Sequence, residues 1–326
     1  MSQLTRRNFV GAALAIGAQL AWSTGRAAPS QAKWRERRNL FPEGVASGDP
    51  HPDSVILWTR RPFEKGSSGA LLVEVSEDEA FTRVVSKSRA KIFADADWTC
   101  RVLAAGLKPA HEYWYRFTDN DGNGSRIGRT ITAPAPDDPR AVRFAFVSCQ
   151  SVNEGVQLAY RRMIWEDIRA AADGRLGFVL HLGDFIYEVV EYPDEVKTRF
   201  DRTIFDLGRI PDSRKVANFH VPTTLEGYRF VYKAHLHDRD IQDARARFPF
   251  VCIWDNHEFS WQAWQSTIKF GKTVENAQPL KVAANQAWFE FIPARIERPS
   301  GTSLERFDGP HVVKAPIEKF DDDGLG

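Results

Sequence analysis

The 326 residues are 43% hydrophobic and 27% charged, a globular balance with enough chain for two domains. Lys and Arg total 44 against 43 Asp and Glu, a formal net charge of +1, so no basic excess points to nucleic acid and no acidic block suggests a solvating tail. The three cysteines, Cys100, Cys149 and Cys252, are too few and too far apart for a disulfide framework, and no zinc-type spacing is present.

Residues 1–28 read as a targeting segment. Arg6-Arg7, then Phe9 and the Ala/Gly-rich stretch from Gly11 to Trp22, resemble a twin-arginine signal, with small residues at Ala27-Ala28 suited to cleavage. The apolar stretch is too short to be a stable membrane span. An uncleaved N-terminal anchor helix is the alternative. The signal implies the twin-arginine export machinery as a partner and a periplasmic or secreted location.

A charged stretch, Lys33–Arg38, leads into Phe41–Pro52, which is dense in turn residues. Short strands are predicted at Ser54–Thr59, Leu71–Val75, Val84–Val85, Lys91–Phe93 and Thr99–Leu103. Gly106–Phe117 joins a Leu-x-Pro turn to an aromatic strand, a pattern similar to the late strands of fibronectin-type-III-like sandwiches, and Thr130–Thr132 closes the run. These signals predict an all-β sandwich over residues 40–133. Asp49 and His51 read as turn and packing residues, with the sandwich far from any site. The Pro-rich stretch Ala133–Pro139 is a stiff linker into a second domain, residues 140–326.

In that domain Val142–Val147 reads as a strand, Glu154–Ala172 as a helix, and 177–182 as a second strand. Val156, Tyr160, Met163, Ile164 and Ile168 recur at helical spacing and are expected in the core. The strand–helix–strand order implies a parallel pair with a right-handed crossover. Residues 189–222 form a polar insertion, as readily a lid or specificity loop as surface decoration. Thr224–His237 and Arg239–Arg247 read as helices and 248–254 as the third strand. Pro279–Phe291 is a proline-opened helix with Val282, Trp288, Phe289 and Ile292 as contacts. His181 reads as a hydrogen-bonded core histidine. His235 and His237 cannot share a helix face and read as surface residues or as residues one contact removed from a site.

The strand ends carry the chemistry. Ser148-Cys149-Gln150 follows the first strand, Gly183-Asp184-Phe185-Ile186-Tyr187-Glu188 the second, and Trp254-Asp255-Asn256-His257-Glu258 the third. Ligands at the carboxyl ends of parallel strands meet at one sheet edge. Asp184 can bridge two cations, Asn256 offers a neutral oxygen, and His257 can ligate a metal or donate a proton. Tyr187, three residues after Asp184, can turn back into the same pocket. A phenolate suits ferric iron; carboxylate and amide oxygens suit magnesium, manganese or calcium. Cations clustered in this way bind phosphate oxygens, activate a hydroxide and stabilise a leaving group. Each residue also has a plainer reading. Cys149 alone is a buried small hydrophobe, Tyr187 a packing aromatic, and Asp184 and Asn256 turn formers. A nucleophilic role for Cys149 would want an Arg in the following cradle, and Gln150–Gly155 contains none. Trp261 and Trp264 either wall the site or simply pack.

Gly-Asp-x-x-Tyr with a later Asn-His-Glu is similar to the metallophosphoesterase signature. The three motifs together resemble the alkaline phosphatase D family from about residue 40 onward. The resemblance implies a calcineurin-like α/β core behind the β-sandwich. It implies Fe3+ held by Cys149, Asp184 and Tyr187, and Ca2+ held in part by Asp184 and Asn256. His257 and Asp184 would be catalytic, with a phosphate mono- or diester as substrate. The family's later Gly-Asp-x-His motif is not found: His311 lies in an unlike, Pro- and Gly-rich context, and Asp321–Asp323 reads as a solvated loop. The α/β core is therefore expected to be incomplete, with exposed apolar sheet surface. Two further readings stand beside the hydrolase: an impaired, truncated remnant that binds metal or phosphate, and a structural surface protein whose sandwich binds a partner.

Overall fold

The computed structural model describes residues 19–23, 26–171, 174–261, 266–270 and 272–295. Arg6, Arg7, Trp264, His311 and the acidic run at 321–323 lie outside the described residues. The amino-terminal part is built from β1 (Gln19–Trp22), β2 (Arg35–Glu36), β3 (Val45–His51), β4 (Ser54–Arg60), β5 (Ser68–Ser76), β6 (Val84–Phe93), β7 (Thr99–Ala105), β8 (Glu112–Thr118), β9 (Asn123–Gly124) and β10 (Gly128–Ile131). One sheet runs β2-β9-β8-β5-β6, with β10 beside β8. A second begins β1-β7-β4-β3. Alternate residues of β5 (Leu71, Val73, Val75) and β8 (Tyr113, Tyr115, Phe117) pack against Val55, Leu57, Val102 and Ala104 of the second sheet. That period of two buries one face of each sheet against the other.

The strands differ from the sequence reading in places: Gln19–Trp22, inside the stretch read as a targeting segment, forms β1 and pairs in parallel with β7. Val84–Phe93 is one long strand, because its polar middle pairs with β5 while every second side chain faces solvent. The turn-rich segment before Ser54 contains β3, a strand with a register shift between Gly48 and His51. Gly48 is there for approach: a Cβ would sit 2.8 Å from the Phe250 carbonyl oxygen of a neighbouring strand.

The rest of the chain comprises β11 (Phe144–Val147), α1 (Leu158–Arg169), β12 (Phe178–His181), the hairpins β13 (Thr198–Arg199)/β14 (Arg202–Thr203) and β15 (Arg214–Val216)/β16 (Phe219–Val221), α2 (Leu225–Leu236), α3 (Arg239–Arg247), β17 (Pro249–Cys252), the hairpin β18 (Thr267–Phe270)/β19 (Thr273–Asn276), and α4 (Gln278–Phe291). Thr224 caps α2 by accepting from the Gly227 nitrogen, and Asp238 caps α3 by accepting from Asp240 and Ile241. β11, β12 and β17 are parallel neighbours, as the strand–helix–strand order predicts.

β17 also pairs in parallel with β3, so β1-β7-β4-β3-β17-β12-β11 is one continuous mixed sheet across the Pro-rich stretch. The sandwich is therefore not remote from the strand ends. Asp49 and His51 close β3 beside the carboxyl end of β17, where the Asp49 carboxylate accepts the backbone nitrogen of Arg295.

Val179 and Phe250 bury one face of this sheet against Val231, Tyr232, Ile241, Ala244, Ala287 and Phe291 of the three later helices. The other face carries Phe144, stacked on Phe178, and Phe146, which is 70% exposed. Leu182 and Ile253 continue the exposed apolar surface. On α1, Tyr160 is buried and Met163 and Ile164 pack on the core, but Val156 and Ile168 are exposed. Val156 precedes the first helical residue, and Ile168 lies on the outer side with Trp165.

Candidate metal centre

The ends of β11 and β12 converge on Asp184. The Cys149 Sγ and the Tyr187 hydroxyl each lie 3.4 Å from Asp184 Oδ2. Asp184 Oδ1 accepts the His257 nitrogen at 3.3 Å. The turns that allow this are strained: φ is +58° at Cys149, +93° at Gly183 and +53° at Asp184. A left-handed non-glycine residue costs about 1 kcal/mol or more and persists only where its surroundings hold it. Here the two turns hold each other, with Cys149 N donating to Gly183 O at 3.3 Å and Gln150 N to Asp184 O at 3.2 Å. Glycine is needed at 183 for space as well, since a Cβ would come within 2.8 Å of the Asp255 nitrogen.

Glu258, fully buried, ties the second motif to the third. Its carboxylate accepts from Asp184 N at 3.0 Å, Phe185 N at 2.6 Å and Asp255 N at 2.7 Å. Burial outweighs those donors, and with the Asp184 charge nearby it pushes the Glu258 pKa up to about 7. Glu188, also buried, accepts from His257 Nδ1 at 2.6 Å and from the Trp261 nitrogen. The His257 ring stacks on Tyr187 with centroids 4.1 Å apart. Burial opposes the imidazolium, but Glu188 favours it enough to raise the His257 pKa above the ordinary value. Burial raises the Tyr187 phenol, and the neighbouring Cys149 and Asp184 raise it further.

His235 is fully buried and, of its two sequence readings, fits the one that sets it one contact away from the site. Its Nδ1 donates to Val231 O at 2.9 Å and its Nε2 accepts from Tyr187 N at 3.0 Å. Burial lowers its pKa to about 4, so the neutral ring can hold both roles. His237 is exposed, 3.5 Å from the Glu43 carboxylate. His181 is buried, but neither ring nitrogen has a hydrogen-bond partner among the described residues, which corrects the expectation. It packs on the Phe185 ring at 5.0 Å, and burial lowers its pKa to about 3, keeping it neutral.

Cys149, Asp184 and Tyr187 are thus brought together. Asn256 opens the short helical turn Asn256–Glu258, next to the His257 nitrogen that binds Asp184. Its Nδ2 donates to Trp261 O at 2.9 Å, so the amide oxygen is the atom that could serve as a ligand. Trp261 is partly exposed, with its ring edge-on to Phe219. Cys100 and Cys252 are apart from the centre, and burial raises both thiols.

A polar pocket of about 240 Å³ opens over Cys149 and Tyr187, lined also by Ser151, Glu154, Gln157 and Arg202. No group of three His, Cys, Asp or Glu side chains that could hold a metal occurs among the described residues. The third donor of this trio is a phenol. Sequence reasoning missed the roles of Glu188 and Glu258. The two glutamates close their motifs, and that position was the available signal.

Residues 26–134 match the family model for the PhoD-like phosphatase N-terminal domain, and residues 144–308 match that for PhoD-like phosphatase. The chain is 32% identical over 320 residues to alkaline phosphatase D of Bacillus subtilis (strain 168), an alignment covering 93% of this chain and 50% of that protein. A solved structure of PhoD superposes with a TM-score of 0.67 at 31% identity, covering 83% of this chain and 48% of the other. The chain therefore spans about half the length of the relatives it matches. With both regions matched in order and the three strand-end motifs meeting at one sheet edge, this chain belongs to the PhoD-like phosphatase family.

Proposed function

We propose that the chain is a metal-dependent phosphoric ester hydrolase of the alkaline phosphatase D type. The observation that carries this reading is the meeting of Cys149 Sγ, Asp184 Oδ2 and the Tyr187 hydroxyl beneath a polar pocket. A sulfur and a phenol donor, each 3.4 Å from the same Asp184 carboxylate oxygen, fit a shared cation. Thiolate and phenolate suit Fe3+, while the Asp184 carboxylate and Asn256 amide oxygen suit Ca2+. Bound cations at this point would lower the pKa of a water and neutralise phosphoryl oxygens.

The chain's own residues do the rest. Glu188 occupies His257 Nδ1, leaving Nε2 as the nitrogen able to protonate a leaving oxygen. The stacked Tyr187 ring fixes the imidazole plane. Glu258 holds the Asp184 and Asp255 turns in register, and His235 holds the Tyr187 backbone. Parallel strands with ligands at their carboxyl ends support a calcineurin-like core, and the two facing sheets support a fibronectin-type-III-like sandwich. The Arg6-Arg7 pattern supports twin-arginine export to the periplasm or beyond, a route for proteins that acquire metal before crossing.

A metal- or phosphate-binding protein without turnover is the second reading, favoured by the small donor set among the described residues. Metal analysis beside assays with p-nitrophenyl phosphate and bis(p-nitrophenyl) phosphate separates the two. The hydrolase reading expects bound metal with turnover, and loss of both in a folded Asp184→Asn variant. Bound metal with no turnover favours the second reading. Retained activity in the variant removes Asp184 from the centre.

A further inference from the structure

The polar insertion at 189–222 is not loose decoration. Asn153, buried just after the Cys149 turn, clamps it at two points. Asn153 Nδ2 donates to Glu191 O at 3.1 Å and Phe205 O at 2.8 Å, and Oδ1 accepts from Glu191 N at 2.8 Å. Its carbonyl accepts Phe205 N at 2.8 Å. Between the clamped residues the chain makes the β13/β14 hairpin, whose two turn residues, Phe200 and Asp201, have φ of +49° and +60°. A two-residue left-handed turn of this kind matches strand twist and fixes the register.

The register places Arg199 directly opposite Arg202. Like charges at opposed positions repel unless each meets an anion. Arg199 has one: its Nε lies 2.6 Å from buried Glu191, and its guanidinium lies over the Phe219 ring. Arg202 forms no ion pair among the described residues and instead lines the pocket over Cys149 and Tyr187. The same pocket is lined by Glu154, Ser151 and Gln157, groups suited to a hydroxylated leaving group rather than to a second phosphate.

We infer that Arg202 is a substrate-binding residue that grips a phosphoryl oxygen and selects phosphomonoester dianions over phosphodiesters. The inference rests on the hydrolase reading above. A guanidinium can meet two nonbridging oxygens of either ester, so the discrimination rests on charge: the monoester dianion carries a second negative charge for this cation to meet, and the diester does not.

The test uses the 326-residue chain supplied with Fe3+ and Ca2+, as wild type, Arg202→Ala and Arg202→Lys. Substrates are p-nitrophenyl phosphate and bis(p-nitrophenyl) phosphate, with inorganic phosphate as the binding probe. In Arg202→Ala the monoester KM and the phosphate Kd are expected to rise about tenfold or more, with kcat and the diester KM changing less than about threefold. Arg202→Lys should fall between, and metal content should be unchanged. An unaltered monoester KM in an active variant, or equal losses on both esters, overturns the assignment while the hydrolase reading stands. A wild type that neither hydrolyses these esters nor binds phosphate overturns both.

Discussion

Glu258→Gln in chelator-treated protein probes the clamp between the two motif loops. In the fold the Glu258 carboxyl has a pKa of about 7 against an ordinary 4.5, because burial outweighs its three backbone donors. The folded state then binds more protons than the unfolded chain between those two values, so stability falls as pH rises through that window. At about 1.4 kcal/mol per pH unit, the cost is about 3 kcal/mol by pH 8. Glutamine cannot ionise and escapes that cost. It loses acceptor capacity, however, leaving at least one of the Asp184, Phe185 and Asp255 nitrogens poorly met, about 2 kcal/mol at any pH. Urea unfolding followed by tryptophan fluorescence at pH 5 and pH 8 reads both effects. The wild type should lose about 3 kcal/mol more than the variant between the two pH values. Parallel pH dependence in the two proteins would refute the claim that this carboxyl is held protonated by burial.

Glu188→Gln removes the charge facing His257 Nδ1 while keeping the shape. Turnover of p-nitrophenyl phosphate should drop about 10- to 100-fold with bound metal retained; metal loss in step with activity would assign Glu188 to folding of the centre instead. Replacing both Arg6 and Arg7 with Lys should leave the precursor in the cytoplasm, read by cell fractionation, and unchanged export would count against a twin-arginine route.

The strand-end motifs were legible because each couples a short apolar run to a cluster of donors, a pattern contained in consecutive residues. Cys149, Asp184 and Tyr187 met as that pattern predicts, since β11 and β12 are adjacent and parallel. Longer-range partnerships were not legible. Glu258 works on nitrogens some seventy positions earlier, and His235 on the backbone of Tyr187, and nothing in local spacing encodes either. β3 was hidden because Gly48 and Pro50 read as turn signals, whereas Gly48 serves the close approach of β17. His181 misled in the other direction: a buried imidazole suggests a polar partner, but this one sits in aromatic packing.

The pairing of β3 with β17 makes the Pro-rich stretch a poor place to divide the molecule. Trp58 of the sandwich donates to the Glu290 carbonyl, and Arg101 donates to that of Ile292, so the two regions are stitched by side chains as well as by the sheet. A protease nicking the exposed connection near Asp137 would leave the pieces held together. Heat or urea would be expected to melt them as one cooperative unit, with the Cys149–Asp184–Tyr187 cluster losing its scaffold at the same midpoint as the sandwich.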